Sequence, residues 1–163
     1  MVTAAAVAAR VADPELPMLT LADLGILRDV DESDDGVVVT ITPTYSGCPA
    51  MQTIQDDLTG ALRRAGYARV EVRTVLTPAW TTDWITSAGR DKLATAGISP
   101  PGPAPRRGAG PVPLTLTPRR QMIACPQCGN AETEEIAAFS ATACRALRRC
   151  PVCREPFEHV KEI

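Results

Sequence analysis

Histidine is nearly absent from this chain, with one residue, His159, in 163. A di-iron carboxylate centre built in a helical bundle needs Glu-x-x-His on each of two helices, so the chain cannot supply one. Aromatic residues are scarce too, two each of Trp, Tyr and Phe. No segment interleaves them with basic residues, as a surface that stacks bases and contacts phosphates would require. There is no Gly-x-Gly-x-x-Gly fingerprint and no ferredoxin cysteine spacing, which excludes a flavin or dinucleotide reductase. No apolar run approaches the roughly 18 to 20 residues that cross a bilayer. The opening MVTAAAVAARVADPE lacks a basic region ahead of its small apolar run, so neither a secretion signal nor a membrane anchor is expected. No repeat recurs at a fixed period.

What is present is ordinary globular material, 45% hydrophobic and 22% charged, with a formal net charge of −2. The charge is uneven. Residues 1–96 hold 8 Lys/Arg against 13 Asp/Glu, and an acidic unit is poorly suited to a phosphate backbone, so nucleic acid is not an expected partner. Between 97 and 118 proline and glycine dominate (GISPPGPAPRRGAGPVPLTLTP). Almost nothing there could pack into a core, and Arg106 and Arg107 read as solubilising charges in a linker. The division expected is a domain over 1–96, a linker over 97–119 and a small metal-dependent module over 120–163, too short to fold on burial alone.

Within 1–96 the pattern alternates between strand and helix. Short β-rich runs at 26–30 and 37–42 flank Ser33-Asp34-Asp35-Gly36, whose Asp-Gly pair suits a hairpin turn needing positive φ. Val37, Val39 and Ile41 share one face and should meet the core. Apolar residues at Met51, Ile54, Leu58, Ala61, Leu62 and Ala65 describe one stripe of a helix that Gly66 ends. Val70, Val72 and Thr74 predict a third strand. Helices are expected over 3–11 and, capped by Thr81 or Thr82, over 84–93. The fold class is α+β, with helices on one face of a small sheet.

Six cysteines in a short chain could be a disulfide scaffold. Four of them, however, form Cys125-Pro-Gln-Cys128-Gly and Cys150-Pro-Val-Cys153-Arg. Two such turns present four thiolates to one tetrahedral ion, and the residues between can form a small sheet: an all-β zinc ribbon with structural Zn²⁺. Gly129 can take the backbone geometry that points amides at sulfur, whereas Arg154 stands where rubredoxin-type iron sites usually carry glycine. That favours zinc over iron. A redox role for the CxxC pairs would need a βαβ context that the pattern does not provide. The thiols are read as reduced, in a cytoplasmic protein. Cys144 is left over, a small buried cysteine, a spare ligand or a reactive group. His159 is expected on the surface of the last strand, since four thiolates complete the tetrahedron.

Cys48 lies in Tyr45-Ser46-Gly47-Cys48-Pro49, between a strand end and a helix start, with Pro49 suited to the first helical position. Unpaired N–H groups at a helix N-terminus favour a thiolate. Cys48 is thus either a soft ligand or nucleophile, or a half-buried cysteine capping the helix. Asp13, Glu15, Trp80, Thr81, Thr82, Asp83 and Trp84 fall in loops, where function concentrates. The acids could equally cap turns and the tryptophans pack on the sheet.

These stretches carry a resemblance. Asp13-Pro14-Glu15-Leu16-Pro17, Asp23-Leu24-Gly25-Ile26, Tyr45-Ser46-Gly47-Cys48-Pro49-Ala50 and Pro78-Ala79-Trp80-Thr81-Thr82-Asp83-Trp84-Ile85 resemble the MIP18 (DUF59) family of iron–sulfur assembly factors. Joined to Ser140-Ala141-Thr142-Ala143-Cys144-Arg145 and Cys153-Arg154-Glu155-Pro156-Phe157, the whole is similar to the PaaD family, encoded with the multicomponent phenylacetyl-CoA epoxidase of aerobic bacterial phenylacetate degradation. The resemblance implies an accessory subunit, not catalytic alone, that helps mature the metal centres of the oxygenase or the reductase subunits, its partners. It implies a transient iron or iron–sulfur cargo at Cys48, supported by the loop residues above and by Cys144. A structural subunit of the oxygenase complex and, less consistent with the charge, a nucleic-acid-reading ribbon are the competing readings. Whether the chain forms a homodimer stays open. The proline-rich linker is longer than the family pattern suggests.

Overall fold

The computed structural model describes residues 2–105 and 122–163. The chain divides into two units, Met1–Leu93 and Ala94–Ile163.

In the first unit a three-stranded sheet has the order β1-β2-β3, with β1 Leu27–Ser33, β2 Gly36–Ile41 and β3 Val70–Thr74. β1 and β2 are an antiparallel hairpin, and β2 and β3 run parallel. Val37, Val39 and Ile41 are buried on alternate positions of β2, as a two-residue period dictates. The hairpin turn differs from expectation. Ser33 pairs with Gly36, so Asp34 and Asp35 are its central residues. Positive φ falls on Gly36 alone (141°), where a Cβ would also sit 2.8 Å from the Arg69 side chain and carbonyl.

Helix α2, Met51–Arg64, connects the parallel strands and buries Ile54, Leu58 and Leu62, a strict four-residue line. Ala65, expected on the stripe, is exposed because the helix has already ended. Gly66 takes φ 105°, and Tyr67 N–H donates to the Leu62 carbonyl while Gly66 N–H donates to that of Arg63, a Schellman closure. Arg63 and Arg64 in the last turn face the negative end of the helix dipole.

Helix α1 is shorter than the periodicity suggests, Ala4–Ala8, with the Thr3 hydroxyl accepting from Ala6 N–H and the Glu32 carboxylate from Ala4 N–H. The last helix is displaced from 84–93. A 3-10 turn, Thr82–Trp84, comes first, Ile85 is extended, and α3 covers Ser87–Thr95. Thr81 caps the 3-10 turn, and Thr86 accepts from Gly89 N–H at the head of α3.

The second unit contains an antiparallel sheet of order β4-β5-β6: Glu134–Ala137, Arg145–Arg149 and Pro156–Val160. Its interior is Ile123, Cys125, Cys150 and Phe157, with Cys153 packed against them. The stretch read as linker does not begin where expected. Ile98 and Ser99 are buried, and Ser99 N–H donates to Glu158 while its carbonyl accepts from Val160 N–H on β6. Arg106, Arg107 and the rest of 106–121 lie outside the described residues. His159 is also corrected: it is 1% exposed, covered on β6 where Ser99 pairs with it, and its Nε2 lies 3.3 Å from the Glu162 carboxylate.

Asp23 provides a pH test of the first unit. Burial works against its charge, but the Lys92 ammonium at 2.6 Å and the amide and hydroxyl of Thr20 outweigh it and hold the carboxyl below its ordinary 3.8. A lowered folded value stabilises above the ordinary value and is lost as pH falls through the lower one. Asp23→Asn is expected to cost about 1 kcal/mol at neutral pH, limited by the half-exposed Lys92. In urea titrations at stepped pH, that gap should close progressively below pH 3.8.

Candidate functional site

Parallel pairing of β2 and β3 sends the loops that follow them off the same edge of the sheet. β1 runs antiparallel, so the loop that precedes it reaches that edge too, where Leu27 pairs with Ile41 and Ile41 with Thr74. Three loops therefore meet there: the Asp-Leu-Gly-Ile segment 23–26, the Cys48 segment 42–50 and the tryptophan segment 75–84. Thr42 N–H donates to Ile26 and Val75 N–H to Ile41, tying the loop bases together. The Asp13 segment joins them through Leu21 N–H to Val11 and Ile26 N–H to Leu21. Topology thus gathers Asp13, Glu15, Cys48, Trp80, Thr81, Thr82, Asp83 and Trp84 at one end of the unit.

Most of these residues build the edge. Asp13 is buried, and its Oδ1 accepts from the amides of Glu15 and Leu16 at 2.9 and 2.8 Å, an Asx turn. Glu15 is half-buried beside it. Trp80 is buried and its indole N–H donates to the Leu24 carbonyl at 2.9 Å. Thr82 is fully buried, its carbonyl accepting from Arg90 Nη2. Asp83 is exposed. Trp84 takes the Arg28 guanidinium over its ring at 3.6 Å, a cation–π contact. Gly25 makes this docking possible: it has φ 70°, and a Cβ there would lie 2.6 Å from Trp84 Cβ. Arg28 and Lys92 were not legible as partners of these loops, because each acts across the fold on a residue distant in sequence.

Cys48 is half-buried and sits in the turn before α2; its amide donates to Tyr45 and its carbonyl accepts from Met51 N–H. The helix N-cap is Ala50, so Pro49 lies before the first helical position instead of in it. Close by in the chain, Thr42 is 1% exposed with its Oγ1 unpartnered. No disulfide joins any of the six cysteines.

In the second unit Cys125, Cys128, Cys150 and Cys153 place their sulfur atoms within 4.8 Å of one another. Cys125 and Cys153 are 3.6 Å apart, Cys128 and Cys150 3.5 Å. A tetrahedron with sulfur about 2.3 Å from its centre has edges of about 3.8 Å, so the donor set fits one thiophilic dication. Four neutral thiols gain little from this crowding, and four thiolates repel. Burial opposes charge on Cys150, but the amides of Cys153 and Val152 and the Cys128 thiol bring it down to about 6. At Cys153 the Glu155 amide favours the thiolate, yet burial and the thiols of Cys150, Cys125 and Cys128 push it up to about 12. A dication removes the conflict by taking all four as thiolates.

The two knuckles have the same backbone. Gly129 N–H donates to the Cys125 carbonyl and Arg154 N–H to the Cys150 carbonyl, and both donor residues have positive φ, 74° and 65°. Arg154 is the one non-glycine residue in that region among those described. Its side chain therefore does not separate zinc from iron as the sequence suggested, since the backbone adopts the glycine geometry regardless. Cys144 lies outside the cluster, its Sγ 3.0 Å from Thr142 Oγ1. A βαβ crossover does exist, β2-α2-β3, but in the first unit; the CxxC pairs belong to a wholly antiparallel sheet.

An α+β unit with a loop-borne cysteine, followed by a four-cysteine ribbon, defines a two-part class of protein. The family model for iron–sulfur cluster assembly proteins matches residues 6–75 and that for the PaaD zinc beta ribbon domain residues 109–161. An Escherichia coli K12 protein named as a candidate component of 1,2-phenylacetyl-CoA epoxidase, one of its subunits, is 42% identical over 96% of this chain and 89% of its own. An Fe-S protein maturation auxiliary factor of Porphyromonas gingivalis is 35% identical over 45% of this chain and 71% of its own. A crystal structure of a DUF59 domain from Bacillus anthracis superposes with a TM-score of 0.51 at 28% identity, covering 55% of this chain and 87% of that one. The chain belongs to the PaaD family. No helix among the described residues is long and apolar enough to cross a membrane.

Chelating the metal is expected to abolish the β4-β6 sheet while leaving the first unit folded, read by residue-resolved amide exchange. In the loaded chain Arg154→Gly should raise stability by about 1 kcal/mol by relieving the left-handed conformation. Gly129→Ala should cost about as much from backbone alone, because nothing lies within 4 Å of the added Cβ. Denaturant midpoints of the two variants check both.

Proposed function

We propose that this chain is an accessory protein that helps assemble or maintain the iron or iron–sulfur centres of the phenylacetyl-CoA epoxidase system, handling its cargo at Cys48 while Cys125, Cys128, Cys150 and Cys153 hold a structural zinc ion. The observation that carries this reading is the contrast between two sulfur environments. Four thiols are gathered tightly enough to saturate one ion, which leaves no position for exchange. Cys48 is the sole cysteine of the other unit, half-buried in the loops at one sheet edge.

One protein sulfur cannot saturate iron or a cluster that wants four. The remaining ligands must come from elsewhere, so such a complex is labile, as a delivery step requires. Asp13, Trp80, Thr82 and Trp84 hold the loops around Cys48 in place in this reading, and Glu15, Thr81 and Asp83 stay at least partly accessible in the same loops. The zinc assignment is supported by the ribbon's family model, and the partners are the oxygenase or reductase subunits. The maturation factor among the relatives supports the assembly role. The naming of the E. coli relative as part of the epoxidase favours a second reading, a structural member of the complex that carries no metal to it.

Anaerobic purification with metal and sulfide analysis tests the first reading. Wild type should hold zinc at one ion per chain and take up iron when challenged; Cys48→Ser should keep the zinc and lose the iron. Cells lacking the gene should yield an epoxidase depleted in iron with activity lowered in proportion. Full iron content and full activity in those cells would refute the assembly role, and stable co-purification in fixed stoichiometry would then support the structural one.

A further inference from the structure

The surface between α1 and the end of α2 has no part in either site. Val7 and Val11 on one side and Ala61 and Ala65 on the other line an apolar groove of about 530 Å³, with Arg10 and Arg64 among its lining residues. Its walls are fixed from behind. Tyr67, just past the Schellman closure, shares its one hydroxyl proton between the Val2 carbonyl and Glu32 Oε1, and the other Glu32 oxygen accepts from Ala4 N–H. The groove is therefore a built feature and not a gap left by a loose N-terminus.

Its charges set the occupant. Arg10 and Arg64 are exposed and make no ion pair among the described residues, although the unit that carries them holds an excess of acid, 13 Asp/Glu against 8 Lys/Arg over residues 1–96. Asp57 is the one acid in the lining. Guanidinium groups seek planar oxyanions, while the valine and alanine floor takes aliphatic side chains. The groove is open along its length, as Arg10, Asp57, Arg64 and Ala65 are all exposed, so it suits a segment lying across it more than a small molecule, which needs most of its surface enclosed.

We propose that this groove docks a polypeptide segment of a partner protein that presents carboxylate side chains next to leucine-like aliphatic ones. The site is independent of the sulfur chemistry and stands whether or not Cys48 handles iron. Full-length isotope-labelled protein, zinc-loaded, is titrated with the peptide acetyl-Leu-Glu-Ala-Leu-Glu-Leu-amide and with its twin in which both Glu are Gln. Saturable amide shifts are expected at Val7, Val11, Ala61 and Ala65, with the Gln twin binding several-fold more weakly. Arg10→Gln and Arg64→Gln should each weaken the Glu peptide about threefold, the size of an exposed ion pair, and Arg69→Gln, outside the groove, should not. Equal binding of the twins, or no shift at millimolar peptide, overturns the proposal. So do shifts that follow the protein's own concentration, which mark a second copy as occupant, or displacement of the peptide by equimolar hexanoate, which marks a small-anion site.

Discussion

Parallel pairing of β2 with β3 is the constraint on which the first unit turns. Two strands that run the same way must be joined by a crossover, here α2, and the loops after them leave from one edge. The antiparallel β1 adds the loop before it to the same edge. Segments separated by tens of residues thereby become neighbours, and the Trp80 indole can reach Leu24 while Gly25 lets Trp84 close over it. Reverse the direction of β3 and the tryptophan loop would leave from the opposite end, away from Cys48.

The second unit follows a different logic. Its interior is small, Ile123 and Phe157 packed with the thiols of Cys125 and Cys150, and three short strands bury too little apolar area to hold a fold unaided. Its cohesion depends on satisfying four mutually repelling sulfurs. Buried charge contributes around that centre as well: Arg145 pairs with Glu158 at 2.5 Å, and Arg148 donates to the hydroxyl and carbonyl of Thr133 at 3.0 and 2.8 Å. Ser99, bridged to His159 of β6, extends the pairing beyond the three strands, and His159 is buried there. A stretch whose proline content argues for an extended chain is thus drawn into the sheet at its first residues.

The two units differ in how many sulfurs they bring together, four in the second and one in the first. In the proposed reading four thiolates around one ion leave nothing for a guest, and the metal there serves the fold. In the same reading the single thiol of Cys48 binds weakly by itself and has to share, which suits transfer and is ill suited to storage. The proposed accessory role rests on family membership together with this contrast between the two units.

The sequence alone determined whatever depends on spacing along the chain. The CxxC pairs, the alternation through Val37, Val39 and Ile41, the four-residue line Ile54-Leu58-Leu62 and the stop at Gly66 are local patterns, and local patterns survive being read in one dimension. The loop motifs of residues 13–17, 23–26, 45–50 and 78–85 carried the family. Only the tertiary structure decided what depends on distance through space: the burial of His159, the pairing of Ile98-Ser99 with β6, the left-handed backbone of Arg154, and the hold of Arg28 on Trp84 and of Lys92 on Asp23. Those contacts join residues that no period relates, and their energies arise from burial and charge proximity, which have no value until the chain has folded.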